Sequence, residues 1–336
     1  MRTLVIGDIH LDDKTHGLLK AQIECIKDII RKVECYRVIF LGDVFMHRKP
    51  SPSVLLALQN ILGACEFKEV VILRGNHDSE TKADDGVTAL SVFENFDYNQ
   101  ATTRVITHTW IDHENKQVFI PHYESEETIK EALVQVPRGY FVFGHFGYRG
   151  CLNSAGDCDS TIRLEDFTSP AILGHIHRFN CDSNGNGGDV VTLGTPYTTN
   201  FGEAGKENYY LTFGSEKGER KSLQTHTVKS GPRHLIFNAK DIEANIEEIN
   251  DPAYFTMLRV QVDADHVPIP YDKLNVASVD VIYNPVFNEE ELSTFSPERN
   301  LFSINEVIIE DYVDGANSII PKETLMKGYR ELKDED

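Results

Sequence analysis

Five short apolar runs in this chain end in glycine, and behind each glycine stands a side chain able to bind a metal or a phosphate. Leu4-Val5-Ile6 leads into Gly7-Asp8-Ile9-His10, and Val38-Ile39-Phe40-Leu41 into Gly42-Asp43. Val70-Val71-Ile72-Leu73 leads, past Arg74, into Gly75-Asn76-His77-Asp78. Phe141-Val142-Phe143 leads into Gly144-His145, and Ala171-Ile172-Leu173 into Gly174-His175-Ile176-His177. An apolar run of this length before a glycine reads as a buried strand ending in a turn. In an open α/β sheet, sites form beyond the carboxyl ends of the strands. The strands therefore bring Asp8, His10, Asp43, Asn76, His145, His175 and His177 to one rim. Carboxylate, amide and imidazole without thiolate suit manganese, iron or zinc better than calcium. Any one of these residues alone reads as a helix cap or a polar loop residue; the ordered set does not.

The segments between the runs support an α/β layout. Leu18, Leu19, Ile23, Ile26, Ile29, Ile30 and Val33 recur at helical spacing and predict a helix over 17–34. Ser51-Pro52-Ser53 is a start signal for a second helix reaching Leu62. Val87 to Phe96 and Glu126 to Val136 read as further helices, and 104–111 and 117–122 as strands. Alternating strands and helices favour a mostly parallel sheet with helices on its faces. After His177 the text becomes β-rich, with strands at 190–193, 209–213 and 223–229. From about residue 233 the pattern changes to a small α/β module: a polar helix over Lys240 to Ile249 and strands over 255–262 and 277–283. The tail carries Ile304, Val307, Ile308 and Tyr312 on one helical face, and a further short helix opens at Pro321. The divisions are thus 1–232, 233–288 and 289–336.

Composition narrows the class. With 40% hydrophobic and 26% charged residues the chain is globular, and no apolar run approaches a membrane span of about 20 residues. Met1-Arg2-Thr3-Leu4 enters a strand directly and is no signal peptide. Six cysteines without a C-x-x-C pair fit a reduced, cytoplasmic compartment. The net charge of −20 argues against holding nucleic acid by bulk electrostatics alone. It does not exclude a nuclease, because bound dications offset carboxylates locally.

Asp-x-His, Gly-Asp, Gly-Asn-His-Asp, Gly-His and Gly-His-x-His, in this order, resemble the motifs of the calcineurin-like metallophosphoesterases. The resemblance implies a two-layered β-sandwich flanked by helices, here with a small α/β cap and C-terminal helices. It implies two divalent ions, manganese ahead of magnesium. One would take Asp8, His10, Asp43 and His177; the other Asp43, Asn76, His145 and His175, with Asp43 as the bridge. His77 would face the phosphate and protonate the leaving oxygen, and Asp78 would hydrogen-bond its other nitrogen. His47, Arg48 and Arg74 stand beside motif residues as candidate substrate contacts, while His122 reads as structural.

Two more stretches are similar to the SbcD-type double-strand-break repair nucleases. They are Gly42-Asp43-Val44-Phe45 followed by Lys49-Pro50-Ser51-Pro52, and Leu193-Gly194-Thr195-Pro196-Tyr197 followed by Asn200-Phe201-Gly202-Glu203. The length resembles the compact recombination nucleases of large tailed phages, which would place the protein in the host cytoplasm. Met46 stands where many relatives have His or Asp, with His47 one place on, and Asp12 replaces a usual glycine. The resemblance implies a metal-dependent DNA exo/endonuclease partnered by an SbcC-like coiled-coil ABC-type ATPase through the C-terminal helices. It also implies a homodimer through helices of the nuclease domain, and no membrane. The alternative is a stand-alone dimetal phosphoesterase acting on phosphoprotein or nucleotides.

Overall fold

The computed structural model describes residues 2–64, 66–94, 97–98, 101–153, 156–185, 188–214, 222–263 and 268–283. The expected C-terminal helices of 289–336 lie outside the described residues. Residues Met1–Asn284 form one compact unit.

Two sheets make the body of that unit. The larger runs Ser222–Thr227, Tyr209–Gly214, Arg2–Ile6, Arg37–Phe40, Glu69–Leu73, Ala101–Ile106, Asp97–Tyr98. The other runs Asn180–Ser183, Asp189–Thr192, Ala171–Gly174, Phe141–His145, Gln117–Ile120, Trp110–Asp112. The strands that end in the glycine motifs pair parallel with one another within each sheet. They carry side chains buried on both faces, which is why they read as unbroken apolar runs.

Each sheet face has its own partner. Val5, Ile39, Leu41, Val71 and Leu73 from the first sheet meet Phe119, Phe143, Ile172 and Val191 from the second, forming the sandwich interior. Phe119 and Phe143 stack at 5.3 Å, and Phe213 crosses to Phe143 edge-on at 6.0 Å. The first sheet's outer face is covered by α1 (Leu18–Arg31) and α2 (Pro52–Gly63), which bury Cys25, Ile26, Ile29, Leu58, Ile61 and Leu62. The start signal acts as expected: the Ser51 hydroxyl accepts from the Val54 N–H at 3.3 Å, with proline in the first turn. The second sheet's outer face is covered by α3 (Glu126–Val134) through Ile129, Ala132 and Leu133.

Four segments depart from expectation. The expected strand 104–111 divides: its start belongs to Ala101–Ile106 of the first sheet and its end to Trp110–Asp112 of the second. Val87 to Phe96 yields only a short 3-10 turn, Ala89–Phe93. Leu90 and Phe93 are its only buried apolar side chains, and the Glu94 carboxylate accepts from the Val105 N–H of a neighbouring strand, drawing the chain out of the helix. The Lys240 to Ile249 helix breaks into the turns Ala239–Asp241 and Glu243–Asn245 and one helical turn, Ile246–Ile249. There the Asn245 side-chain amide donates to the Asp241 carbonyl at 2.7 Å, a local bond that competes with a continuous helix. Finally, Gly231–Asn238 is a strand that the pattern had not suggested. It is an edge strand, where Pro232 is tolerated, of a parallel three-stranded sheet with Tyr254–Val262 and Ser278–Tyr283.

Candidate metal centre

The predicted rim exists, and its backbone is unusual. His10, Asp43 and His175 have φ of 40°, 47° and 77°. Left-handed backbone costs a non-glycine residue about 1–2 kcal/mol. All three belong to the expected donor set, the pattern of strain held at a functional site. The glycines let the strand ends close up. A Cβ on Gly75 would lie 2.1 Å from Asp43 Oδ1, and one on Gly42, itself at φ 105°, would lie 2.4 Å from His145 Nδ1. Any side chain there would push the donors apart.

The donors converge. Asp43, His145 and His175 place ligand atoms within 4.8 Å of one another. Asn76 Oδ1 lies 2.9 Å from His175 Nδ1 and 3.2 Å from His145 Nε2. His10 Nε2 and His177 Nε2 stand 3.0 Å apart, with Asp43 Oδ2 3.7 Å from His10 Nε2. Asp8 is fully buried beside them, accepting from the His175 N–H at 3.0 Å and lying 3.3 Å from His145 Nδ1. The second nitrogens explain the aim of two rings. His145 Nδ1–H donates to the Leu41 carbonyl at 2.7 Å, and His177 Nδ1–H to Glu203 Oε1 at 2.6 Å. In the neutral ring each leaves Nε2 with a lone pair facing its neighbours. Lone pairs gathered this closely repel unless a cation lies among them, so the donor set fits bound divalent metal.

Electrostatics point the same way. Burial pushes Asp8 up to about 6, and the nearby Asp43 charge adds to it while His145 works against it. Burial lowers His10 and His175 to about 3. Burial also acts on Asp43 and His145, but their mutual attraction wins. Asp43 is held well below the carboxylate range, and His145 is raised to about 9 by Asp43 and Asp8. A proton on His145 thus takes the part of a cation between two buried carboxylates.

The remaining expected site residues divide. His77 is at the rim, half-buried, edge-on to His10 at 5.0 Å. Its Nδ1 faces the Met46 carbonyl at 2.7 Å and not Asp78, which corrects the expected pairing. Asp78 points the other way, into the backbone: it accepts from the N–H groups of Gly75 at 2.9 Å, Phe45 at 3.0 Å and Val44 at 3.2 Å. Three buried donors outcompete one half-buried ring for the same carboxylate. Arg74 is buried and donates to the His122 carbonyl at 2.5 Å, so it presents no free face to solvent. Arg48 donates to the carbonyls of Ser79 and Thr81 and lies 3.6 Å from Glu124, bracing the loop after Asp78. His47 is half exposed, 3.8 Å from Asp12.

One supporting residue was missed, Glu203, and another, His122, read only as structural, lies against the site. His122 packs on the His175 ring at 5.9 Å and edge-on to His145 at 6.2 Å, against the donors themselves. Glu203, fully buried, is the partner of His177. The signal for Glu203 was the Asn200-Phe201-Gly202-Glu203 stretch, which resemblance marked without assigning a contact.

A sandwich whose parallel strands end in clustered oxygen and imidazole donors defines a metal-dependent phosphoesterase, a hydrolase acting on phosphoesters. The family model for calcineurin-like phosphoesterase matches residues 1–179, and the chain belongs to that family. A comparison with curated proteins finds no match. Among the described residues no helix is long and apolar enough to cross a membrane.

Proposed function

We propose that this protein is a manganese-dependent DNA phosphodiesterase, an exo- or endonuclease working with an SbcC-like coiled-coil ABC-type ATPase. The observation that carries the reading is the wiring of the segment from Gly194 to Glu203. This is the stretch that resembles the SbcD-type nucleases, and Glu203 bonds the donor His177 at 2.6 Å. The same segment reaches the small sheet beyond residue 230: the Thr198 hydroxyl accepts from the His234 N–H at 2.8 Å. That sheet, which opens at Gly231 and runs on through the 233–288 module, would be the DNA-facing cap. Residues 289–336 would grip the ATPase, and helices of the nuclease domain would serve a homodimer.

Asp8, His10, Asp43 and His177 would hold one ion, and Asp43, Asn76, His145 and His175 the other. When bound, such a pair activates water and offsets charge on the phosphoryl group. The chain's own residues do the rest. Leu41 and Glu203 orient His145 and His177. The Met46 carbonyl takes Nδ1–H of His77, which leaves Nε2 as the working atom. Protonated there, His77 gives its proton to the leaving oxygen.

The test uses protein stripped with a chelator and supplied with manganese or magnesium, offered DNA, a phosphoserine peptide or a cyclic nucleotide. Manganese should restore cleavage better than magnesium, because imidazole donors suit manganese and magnesium prefers oxygen shells. DNA should be the preferred substrate, with weak, salt-sensitive binding given the net charge of −20. Comparable turnover of the phosphopeptide would overturn the nuclease reading.

A further inference from the structure

Among the described residues, His177 is the one donor ring whose second nitrogen meets a carboxylate from outside the glycine motifs. That carboxylate, Glu203, is fully buried and saturated with bonds. Its Oε1 takes His177 Nδ1–H at 2.6 Å, the Thr199 hydroxyl at 3.1 Å and the Asn200 amide at 3.2 Å. Its Oε2 takes the Thr199 N–H at 2.7 Å. A buried carboxylate with this many donors cannot swing, so the ring it holds cannot swing either.

The loop that carries Glu203 is itself pinned to the small sheet. Thr198 is bonded to His234, on the strand Gly231–Asn238, through both the backbone N–H and the ring. Phe201 packs edge-on to the His234 ring at 4.7 Å, and the Arg259 guanidinium lies 4.0 Å over its face. Arg259 belongs to the next strand, Tyr254–Val262. A continuous set of contacts therefore runs from two strands of the small sheet, through Phe201 and Glu203, to His177. The far end of that ring, Nε2, is 3.0 Å from His10 Nε2.

We propose that Glu203 is a positioning residue for the metal donor His177, and that it ties this donor to the small sheet beyond residue 230. Holding Nδ1–H fixes the tautomer, aims Nε2 at the metal position it shares with His10, and raises the basicity of the ring. Among the described residues, the donors around Asn76, His145 and His175 have no such tie to the small sheet, so the loss of Glu203 falls on one ion of the pair. This inference rests on the metal reading of the site.

The experiment is manganese(II) titration of the stripped full-length chain, followed by the electron paramagnetic resonance of free manganese and by calorimetry. The wild type is expected to take up a pair of ions. Glu203→Ala is expected to weaken one of them by about 10–100-fold, the usual cost of losing a carboxylate behind a metal-binding histidine. The other ion should keep its affinity. Glu203→Gln keeps an oxygen that accepts from Nδ1–H and should recover most of the loss. If the alanine chain does not fold, Glu203→Met fills the same space and is expected to show the same single weakened ion. Wild-type affinity for both ions in the alanine or methionine chain overturns the role. So does an equal loss at both ions that glutamine fails to rescue, since a purely architectural residue would give that result. A wild-type chain that binds no manganese overturns the metal reading itself, an outcome distinct from either.

Discussion

Asp78→Ala should cost stability before it costs chemistry. The carboxylate closes three backbone bonds, from Gly75, Phe45 and Val44, at 2.9, 3.0 and 3.2 Å. It is fully buried, so alanine leaves three N–H groups with no acceptor. Each stranded buried donor costs about 1–3 kcal/mol. Water entering the vacated space would satisfy part of the set, which brings the expected loss to about 3–5 kcal/mol. That is a large share of the roughly 5–15 kcal/mol by which a domain is stable. Asp78→Asn keeps one accepting oxygen but turns an NH₂ group towards the remaining donors, so about 1–3 kcal/mol is expected. Urea unfolding followed by far-ultraviolet circular dichroism, with chelator present, isolates this effect from metal binding. Activity of the asparagine chain should fall only as far as its metal affinity does, because His77 takes its orientation from Met46. An alanine chain within about 1 kcal/mol of wild type would refute the reasoning, since three buried donors cannot lose their acceptor that cheaply.

The other expectations concern the donors and the tail. Asp43→Ala should lose metal and activity together, whereas His77→Ala should keep its metal by elemental analysis and lose turnover by about 10²-fold or more. Manganese affinity should rise with pH up to about 9, because the ion displaces the proton that Asp43 and Asp8 hold on His145 despite its burial. The same raised imidazole stabilises the metal-free fold fully below its ordinary 6.5 and ceases to do so as pH climbs through about 9, so metal-free thermal melts should fall across that window. Removing residues 290–336 should leave manganese-dependent cleavage of short DNA intact and abolish co-purification with the ATPase; an insoluble product would mean that this tail belongs to the chain's own core.

The convergence of the candidate donors was legible because their positions are encoded locally. A glycine that ends a buried strand, followed by Asp8, Asp43, Asn76, His145 or His175, fixes both the place and the direction of the side chain. What supports them is not local. The Met46 carbonyl that orients His77 is a backbone atom, invisible to a pattern of side chains. The bond between His177 and Glu203 spans a hairpin and a loop, and no periodicity connects them. Asp78 stood next to His77 in sequence, which suggested a contact that the turn geometry denies. Helices failed where amphipathic spacing was thin: Leu90 and Phe93 alone cannot hold a long helix against the pull of Glu94.

The support of the rim is uneven, and this bears on how the site can respond. The loops carrying Asp8, His10, Asp43, Asn76 and His145 are bonded to one another. The His10 N–H donates to the Asp43 carbonyl at 2.9 Å, the His77 N–H to Asp43 Oδ1 at 2.8 Å, and His145 to Leu41 at 2.7 Å. Moving any one of these donors breaks bonds at the others, so the weave shifts as a unit or not at all. His177 is braced from a different direction, through Glu203 and a loop fastened to Thr198 and Phe201. The same segment also meets the weave, since the Tyr197 hydroxyl donates to the Ile9 carbonyl between Asp8 and His10, so a shift of the small sheet reaches the donors of that one ion. A perturbation at Arg259 should change the occupancy of the ion shared by His10 and His177 and leave that of Asn76, His145 and His175 untouched. Metal titration of an Arg259→Met chain decides between this directional coupling and a centre that responds only as a whole.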